Sequence, residues 1–471
     1  MSQAPRRADR SWWLEEALAD DPGVPCPPLD RDLDADVVIL GGGYTGLWTA
    51  HFLKEREPGL DVVVLEQDIC GGGPSGRNGG FLNGWWFALD ELVDRIGVSD
   101  ALAVCRTASD SIREIGEWCE AHDVDAWYTY AGDVGVATSA AQDGTWRSNL
   151  RSAQRLGLRD QYVELTAEQV RERCDTPLAR GGVFSPDAAT VQPAGLARGL
   201  RRVVLEQGVR IFEGTPVVRF RAVPPAVAET AGGTVRAGRA VIALNAWGSH
   251  WKAFRRVLTV RGTYMVVTAP APEKLEEIRW TGGEGMWNFR SAVHYLRTTK
   301  DGRIAFGAGG MQPNLARAIG PAFQYDERFV RQVAEDLWRW FPTFRDVPIE
   351  AGWGGPIDVS GNHLPFFGTL PSGNVRYGLG YTGNGVGPCH LGGKILSRMI
   401  LGIEDELTRL PLVTMEPMRF PPEPIRSAGM LVANAAILRK DRAEDEGRRA
   451  NPVVDAVAKL PRHVFGFNLG P

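Results

Sequence analysis

Short β-branched runs and helix-period stripes alternate along most of this chain. The run Asp36-Val37-Val38-Ile39-Leu40 has the continuous apolar character of a strand covered on both faces. A helical pattern at 47–54 follows it, and a second such run, Asp61-Val62-Val63-Val64-Leu65, follows the helix. Strand patterns recur at 209–212, 240–244, 264–268, 294–297 and 303–306. Helical patterns fall at 99–122, with Leu102, Ile112, Ile115, Trp118 and Cys119 as the apolar stripe, at 193–204, at 327–341 and from 388 to 400. At 294–297 the alternation puts His294 and Leu296 on one face of the strand, Tyr295 and Arg297 on the other. Strand, helix and strand in this order predict an α/β protein. Residues 1–30 read as an arm: Trp12 and Trp13 open a short helix that anchors it, and Pro22, Pro25, Pro27 and Pro28 keep the rest extended. The tail is proline-rich from 411 to 424, then holds an apolar helix at 429–438 and a charged segment at 439–449. That helix is too short to span a bilayer and is expected to dock on the body or on a second copy of the chain.

The turn between the first strand and the first helix carries the chemistry. It reads Gly41-Gly42-Gly43-Tyr44-Thr45-Gly46, so Gly41, Gly43 and Gly46 fit G-x-G-x-x-G, and Glu66 ends the second strand. In that setting the pattern is a dinucleotide site: a tight turn, a close approach of backbone to pyrophosphate, and close packing of helix on strand. The helix N-terminus favours the phosphates. Glu66 can accept both ribose hydroxyls and would repel a 2′-phosphate. Two more glycine-rich loops lie far along the chain, at 71–80 and 380–388, as an extended ligand lying across a sheet requires.

Composition changes this picture little. The 471 residues suffice for two domains; 23% are charged and 44% apolar, and the net charge is −4. No basic stripe points to nucleic acid. The N-terminus lacks the apolar core of a signal peptide, and no window suits a spanning helix, so a cytoplasmic location is expected. The six cysteines are scattered without a C-x-x-C pair, as in a reduced protein with neither a disulfide framework nor a metal site.

Taken together, GGGYTGLWTA at 41–50, VVVLEQ at 62–67, PSGRNGGF at 74–81, QPAGLARGL at 192–200, GVRIFEGTPV at 208–217, WGGPIDVSGNHLPFFG at 353–368 and GYTGNGVGP at 380–388 resemble the D-amino-acid-oxidase superfamily of flavoproteins. Within it they look most like the γ-glutamylputrescine oxidase group. The resemblance spans roughly residues 12 to 402 and implies FAD. It implies a Rossmann-like FAD-binding domain assembled from 31–95, 181–250 and 352–402. An α+β substrate domain with a large mixed sheet would come from 96–180 and 251–351, leaving 403–471 as a C-terminal extension and a route to a homo-oligomer. The implied activity is oxidation of an amine to an imine that hydrolyses, with O2 as electron acceptor. A dehydrogenase using a quinone or carrier, and a flavin-binding assembly subunit, stay open as alternatives.

The resemblance also distributes roles. Gly41, Gly43, Tyr44, Thr45, Gly46, Glu66 and Gln67 would hold the adenosine and pyrophosphate. Val217, Asn245 and Trp247 would flank the adenosine, and Ser75, Gly76, Arg77, Asn78, Gly79 and Gly80 would run along the flavin. Gly383, Asn384, Gly385, Val386 and Gly387, opening a helix, would stabilise negative charge at the pyrimidine edge. Tyr295, Asn384 and Arg77 are the candidate catalytic residues; His294, Arg297, Trp353 and Trp86 are candidates for the pocket, and Trp85 and Trp287 could also wall it, since aromatic faces attract cations. Tyr295 equally suits sheet packing, and Arg77 suits phosphate, flavin or substrate. Gly354 stands where some relatives tether FAD to a cysteine, and the first loop lacks the histidine used by others, so FAD is expected to bind without a covalent link. Relatives that oxidise amino acids have a basic residue after each glycine loop, where this chain has Phe81-Leu82-Asn83-Gly84-Trp85-Trp86 and Gly387. The reacting amine is therefore expected on a plain methylene, with any acid remote and met by Arg297 or Arg77. The strand expected to bear an oxygen-activating lysine reads Arg303-Ile304-Ala305-Phe306.

Overall fold

The structure, a computed structural model, describes residues 6–8, 10–313 and 319–465. The apolar runs at 36–40 and 62–65 lie side by side as parallel strands, Leu33–Leu40 and Val62–Leu65. Arg210–Phe212 extends the sheet beyond Val62–Leu65. On the other side, Thr234–Ile242 pairs in parallel with Leu33–Leu40 and with Val375–Leu379. One nucleotide-binding sheet is thus built from segments far apart in sequence. Helices Tyr44–Arg56 and Val386–Leu401 pack together against it, which accounts for their nearly unbroken burial.

The second sheet is mixed and has nine strands among the described residues. At its centre Leu258–Thr268 pairs antiparallel with Ile349–Ser360 on one side and Ile304–Pro313 on the other. His294–Thr298 comes next. The expected amphipathic helix is Glu327–Trp340, and it buries Val330, Val333, Leu337 and Trp340 against one face of this sheet. The chain returns to the first sheet only beyond Ser360, later than the 352 expected. The apolar stretch 352–359 pairs along its whole length with Leu258–Thr268 and so stays in the second sheet.

The helix expected at 99–122 is longer, Leu89–Ala121, and is interrupted at Gly97, whose φ of 81° no helical residue adopts. Its added first turns bury Leu89 and Leu92. The arm is anchored as the tryptophans suggested. Ser11 caps the helix Trp12–Asp20, and fully buried Trp13 meets Trp353 edge-on at 6.1 Å, a contact that contributes about 0.5–1.5 kcal/mol beyond its area. The apolar stretch at 429–438 is the middle of the helix Ile425–Asp445, which docks on the body: buried Asp441 accepts the Ala292 N–H at 2.8 Å. Among the described residues no helix is long and apolar enough to cross a membrane.

Candidate active site

Gly41, Glu66, Val217 and Asn245 all follow the carboxyl ends of strands of the first sheet, where ligands of open α/β sheets bind. Gly41 turns at φ 109°, and a Cβ on Gly46 would lie 2.0 Å from the Gly41 carbonyl oxygen, so helix and turn could not approach as they do. The helix Tyr44–Arg56 starts at Gly43 with no side-chain cap of its own. Ser75 Oγ, from the second glycine loop, accepts the Tyr44 N–H at 2.9 Å and ties the two loops together. Glu66 accepts the Gly42 N–H at 2.8 Å and the Asp68 N–H at 2.9 Å. Burial nevertheless pushes its carboxyl up to about 7, because no cation offsets its desolvation. Gln67 beside it is exposed, Val217 is half-buried, and Trp247 stands over Gly73.

The loop at 74–80 is held by its own side chains. Asn78 donates to the Pro74 and Ser75 carbonyls and accepts the Gly80 N–H at 2.7 Å. A Cβ on Gly79 would lie 2.9 Å from the Tyr295 ring, which places this loop directly on the second sheet. The third loop is fastened by a residue that sequence reasoning missed. Asp358, fully buried, accepts N–H groups from Gly380 and, at 3.1 Å, Tyr381, and the Asn245 amide at 3.0 Å. It joins the loop at Asn245 to the turn before Val386–Leu401, and burial raises its carboxyl to about 6. Its signal was an acid inside an otherwise apolar strand, since buried carboxylates are paired or strongly hydrogen-bonded.

Where the two sheets and the loops converge lies a cavity of about 270 Å³. Tyr295, Thr263 and Arg261 line it from the second sheet; Asn78, Gly79 and Asn384 line it from the loops; Trp85, Phe87 and Trp287 add aromatic surface. The Tyr295 phenol is pushed up to about 12 by burial, partly offset by its hydrogen bond with Thr263, and so stays protonated near neutrality.

A family model described as FAD dependent oxidoreductase matches residues 36–399. The chain belongs to this family of FAD-dependent oxidoreductases. FAD is its cofactor. The oxidoreductase is 28% identical over 383 residues to gamma-glutamylputrescine oxidoreductase of Escherichia coli (strain K12), covering 80% of this chain and 86% of that protein. It is 29% identical over 407 residues to a probable oxidoreductase, OrdL, of Rhizobium meliloti (strain 1021), covering 84% and 90%. The crystal structure of glycine oxidase from Geobacillus kaustophilus shares the fold, with a TM-score of 0.68 at 19% identity over 82% of this chain and 99% of that one.

The residues of this oxidoreductase fit FAD. Two helices begin at glycines, Gly43 and Gly385, without side-chain caps of their own, and apart from the Tyr44 N–H held by Ser75 their first turns leave backbone donors for phosphate and for the pyrimidine edge. Glu66 keeps acceptor capacity for a ribose in a position where no protein cation competes. Of the residues expected at the reacting centre, Tyr295, Asn384 and Arg77 border the cavity. The guanidinium of Arg77, however, donates to the carbonyls of Gly72, Arg10 and Gly354, so it clamps arm, loop and sheet. Four pocket candidates lie elsewhere. His294 is on the opposite face of its strand from Tyr295, buried against Asp336 at 3.2 Å, Trp340 and Arg290. Arg297 shares the face of Tyr295 but sits under the arm, donating to the Val191 and Thr298 carbonyls. Trp353 packs on Trp13 and donates to the Arg77 carbonyl. Trp86 turns into the core to donate to Ser109 at 2.7 Å, because a short helical turn at Trp86–Ala88 presents Trp85 and Phe87 to the cavity instead.

Proposed function

We propose that this oxidoreductase oxidises a small amine at the carbon–nitrogen bond. The amine loses two hydrogens to become an imine, water hydrolyses the imine to a carbonyl compound and ammonia or a smaller amine, and O2 takes up the two electrons and two protons as H2O2. The observation that carries this reading is the cavity at the meeting of the three glycine loops and the second sheet, walled by Trp85, Phe87, Trp287 and Tyr295. The names of the relatives, an oxidoreductase for an N-substituted putrescine and an oxidase for glycine, support a carbon–nitrogen donor.

Bound FAD supplies the hydride acceptor and passes the electrons on. The protein binds it through Glu66, the fingerprint turn and the loops at 74–80 and 383–387, and it orients the amine. Aromatic walls exclude water and favour the uncharged amine, the form whose lone pair can assist loss of hydride. Tyr295, protonated, is a hydrogen-bond donor to the substrate and not a base. Asn384, at the start of the uncapped helix, positions the amine or the adjacent edge of the cofactor. The six cysteines, all free, support a cytoplasmic location.

Incubation of the purified yellow protein with a panel of amines in air tests the reading. One equivalent each of carbonyl product and H2O2 per amine consumed is expected. Carbonyl product formed only with an added quinone or dye would replace the oxidase with a dehydrogenase. No turnover of any amine would remove the reading.

A further inference from the structure

We propose that Arg261 anchors a carboxylate carried by the substrate away from its reacting amine. This rests on the amine-oxidation reading and adds the class of amine. Arg261 lies on the central strand Leu258–Thr268, and its register partners are Pro313 and Ile357. It shares a strand face with Thr263 and opens on the cavity beside Tyr295. Two residues of extended strand set the backbones of Arg261 and Thr263 about 7 Å apart, so the cation stands off from the Tyr295–Thr263 pair along the cavity floor.

The guanidinium is weakly held. Its Nη1 donates at 3.3 Å to the Gly310 carbonyl and at 3.3 Å to Asn434 Oδ1, both neutral and both long. Among the described residues no carboxylate lies within the 4.0 Å of an ion pair. Enclosed arginines elsewhere in this protein either have acids, as Arg201 has Glu213 and Arg290 has Asp336, Asp441 and Asp445, or spread several donors over backbone carbonyls, as Arg77 and Arg297 do. Desolvation alone acts on Arg261 and lowers its pKa to about 10, so it remains a cation with most of its five N–H donors open. A half-buried charge without an opposite charge costs stability, and a ligand anion offsets that cost. One guanidinium matches one planar monoanion, which is the geometry of a carboxylate.

Two further features fit. Arg77 and Arg297, the other arginines close to Tyr295, are committed to backbone carbonyls. Arg95, which also borders the cavity, pairs with Glu91. The helix Ile425–Asp445 of the C-terminal extension holds the Arg261 side chain through Asn434 and fixes the neighbouring wall, since Asp441 accepts the Ser291 and Ala292 N–H groups. The C-terminal extension therefore shapes the substrate end of the cavity.

The experiment uses holoprotein of the wild type, Arg261→Gln and Arg261→Lys. Straight-chain ω-amino acids of three to six carbons are compared with n-alkylamines of equal length. The wild type is expected to favour the acid-bearing member, and Arg261→Gln to reduce that preference in kcat/KM by about 10- to 100-fold, mainly through KM, with Arg261→Lys intermediate. Binding of pentanoate, an unreactive carboxylate, followed through the flavin absorption band, is expected to weaken by a similar factor. An unchanged preference together with unchanged pentanoate binding overturns the proposal, as does loss of flavin in Arg261→Gln, which would assign the cation to the cofactor. If no amine is oxidised, the functional reading fails, and the pentanoate titration still decides the role of Arg261. If Arg261→Gln does not fold, Arg261→Lys and Asn434→Ala, which frees the guanidinium, carry the same comparison.

Discussion

Binding of FAD should depend on pH through Glu66, in a direction and to an extent the structure sets. Without cofactor the carboxyl is desolvated, its two backbone N–H bonds do not fully compensate, and it titrates at about 7. If the ribose hydroxyls donate to the ionised form, binding lowers this pKa and releases a proton whenever the pH is below about 7. Affinity is then complete above that value and is lost by a factor approaching ten per pH unit below it. Between pH 8 and pH 5 the dissociation constant should rise by roughly 100-fold, the population ratio that a group titrating near 7 dictates. Glu66→Gln cannot accept from Gly42, Asp68 and two hydroxyls at once. It should bind FAD about 10- to 100-fold more weakly than wild type at pH 8 and should show no such slope, so that the two curves converge near pH 5. The assay is quenching of FAD fluorescence by reconstituting apoprotein across this range. A flat wild-type profile, or the same slope in Glu66→Gln, refutes the assignment of the ribose to Glu66.

Three further outcomes follow from the packing. Gly46→Ala places a carbon against the Gly41 carbonyl, so the helix must shift; thermal unfolding should show a loss of about 1–3 kcal/mol or more, and the purified protein should be flavin-poor. Asp358→Asn turns an amide donor toward donors from Asn245, Gly380 and Tyr381, costing about 1–3 kcal/mol in denaturant unfolding and loosening FAD. Asp336, held down to about 2 mainly by His294 against the opposing effect of burial, contributes stability above its unfolded pKa near 3.8 that is lost as pH falls through about 2; Asp336→Ala should cost about 1–3 kcal/mol at pH 7 by removing the partner of buried His294, since Arg290 keeps Asp441 and Asp445, while the preference among amines stays as in wild type.

The parts of this protein legible in its sequence are those in which chain-local chemistry decides the outcome. The Gly41–Gly46 turn, the apolar strands around it and Glu66 are such a case, because strand, turn and helix are consecutive. The alternation at 294–297 was legible too, but not which face met the cavity. His294 and Tyr295 differ only in whether Glu327–Trp340 or the Gly79 loop covers them, and that is set by packing of distant segments. Arginines were the hardest to place. Arg77, Arg261 and Arg297 have equal reach, and their roles follow from partners far away in sequence: the Arg10 and Gly354 carbonyls, Asn434, and the Val191 carbonyl. Asp358 escaped notice for the same reason, since Asn245 lies 113 residues from it. Of the tryptophans read as pocket walls, Trp85 and Trp287 line the cavity and Trp86 does not, because a single short helical turn points it into the core.

Oxidation of an amine at FAD bound in this cavity is the central event of the proposed reaction. Anaerobic titration of the purified holoprotein with a preferred amine, monitored between 350 and roughly 500 nm, tests that most directly. Full bleaching by one equivalent of amine, with one equivalent of carbonyl product and recovery of the yellow colour on admitting air, is the result predicted. An absorption spectrum unchanged by every amine, with and without a distal acid, would contradict it.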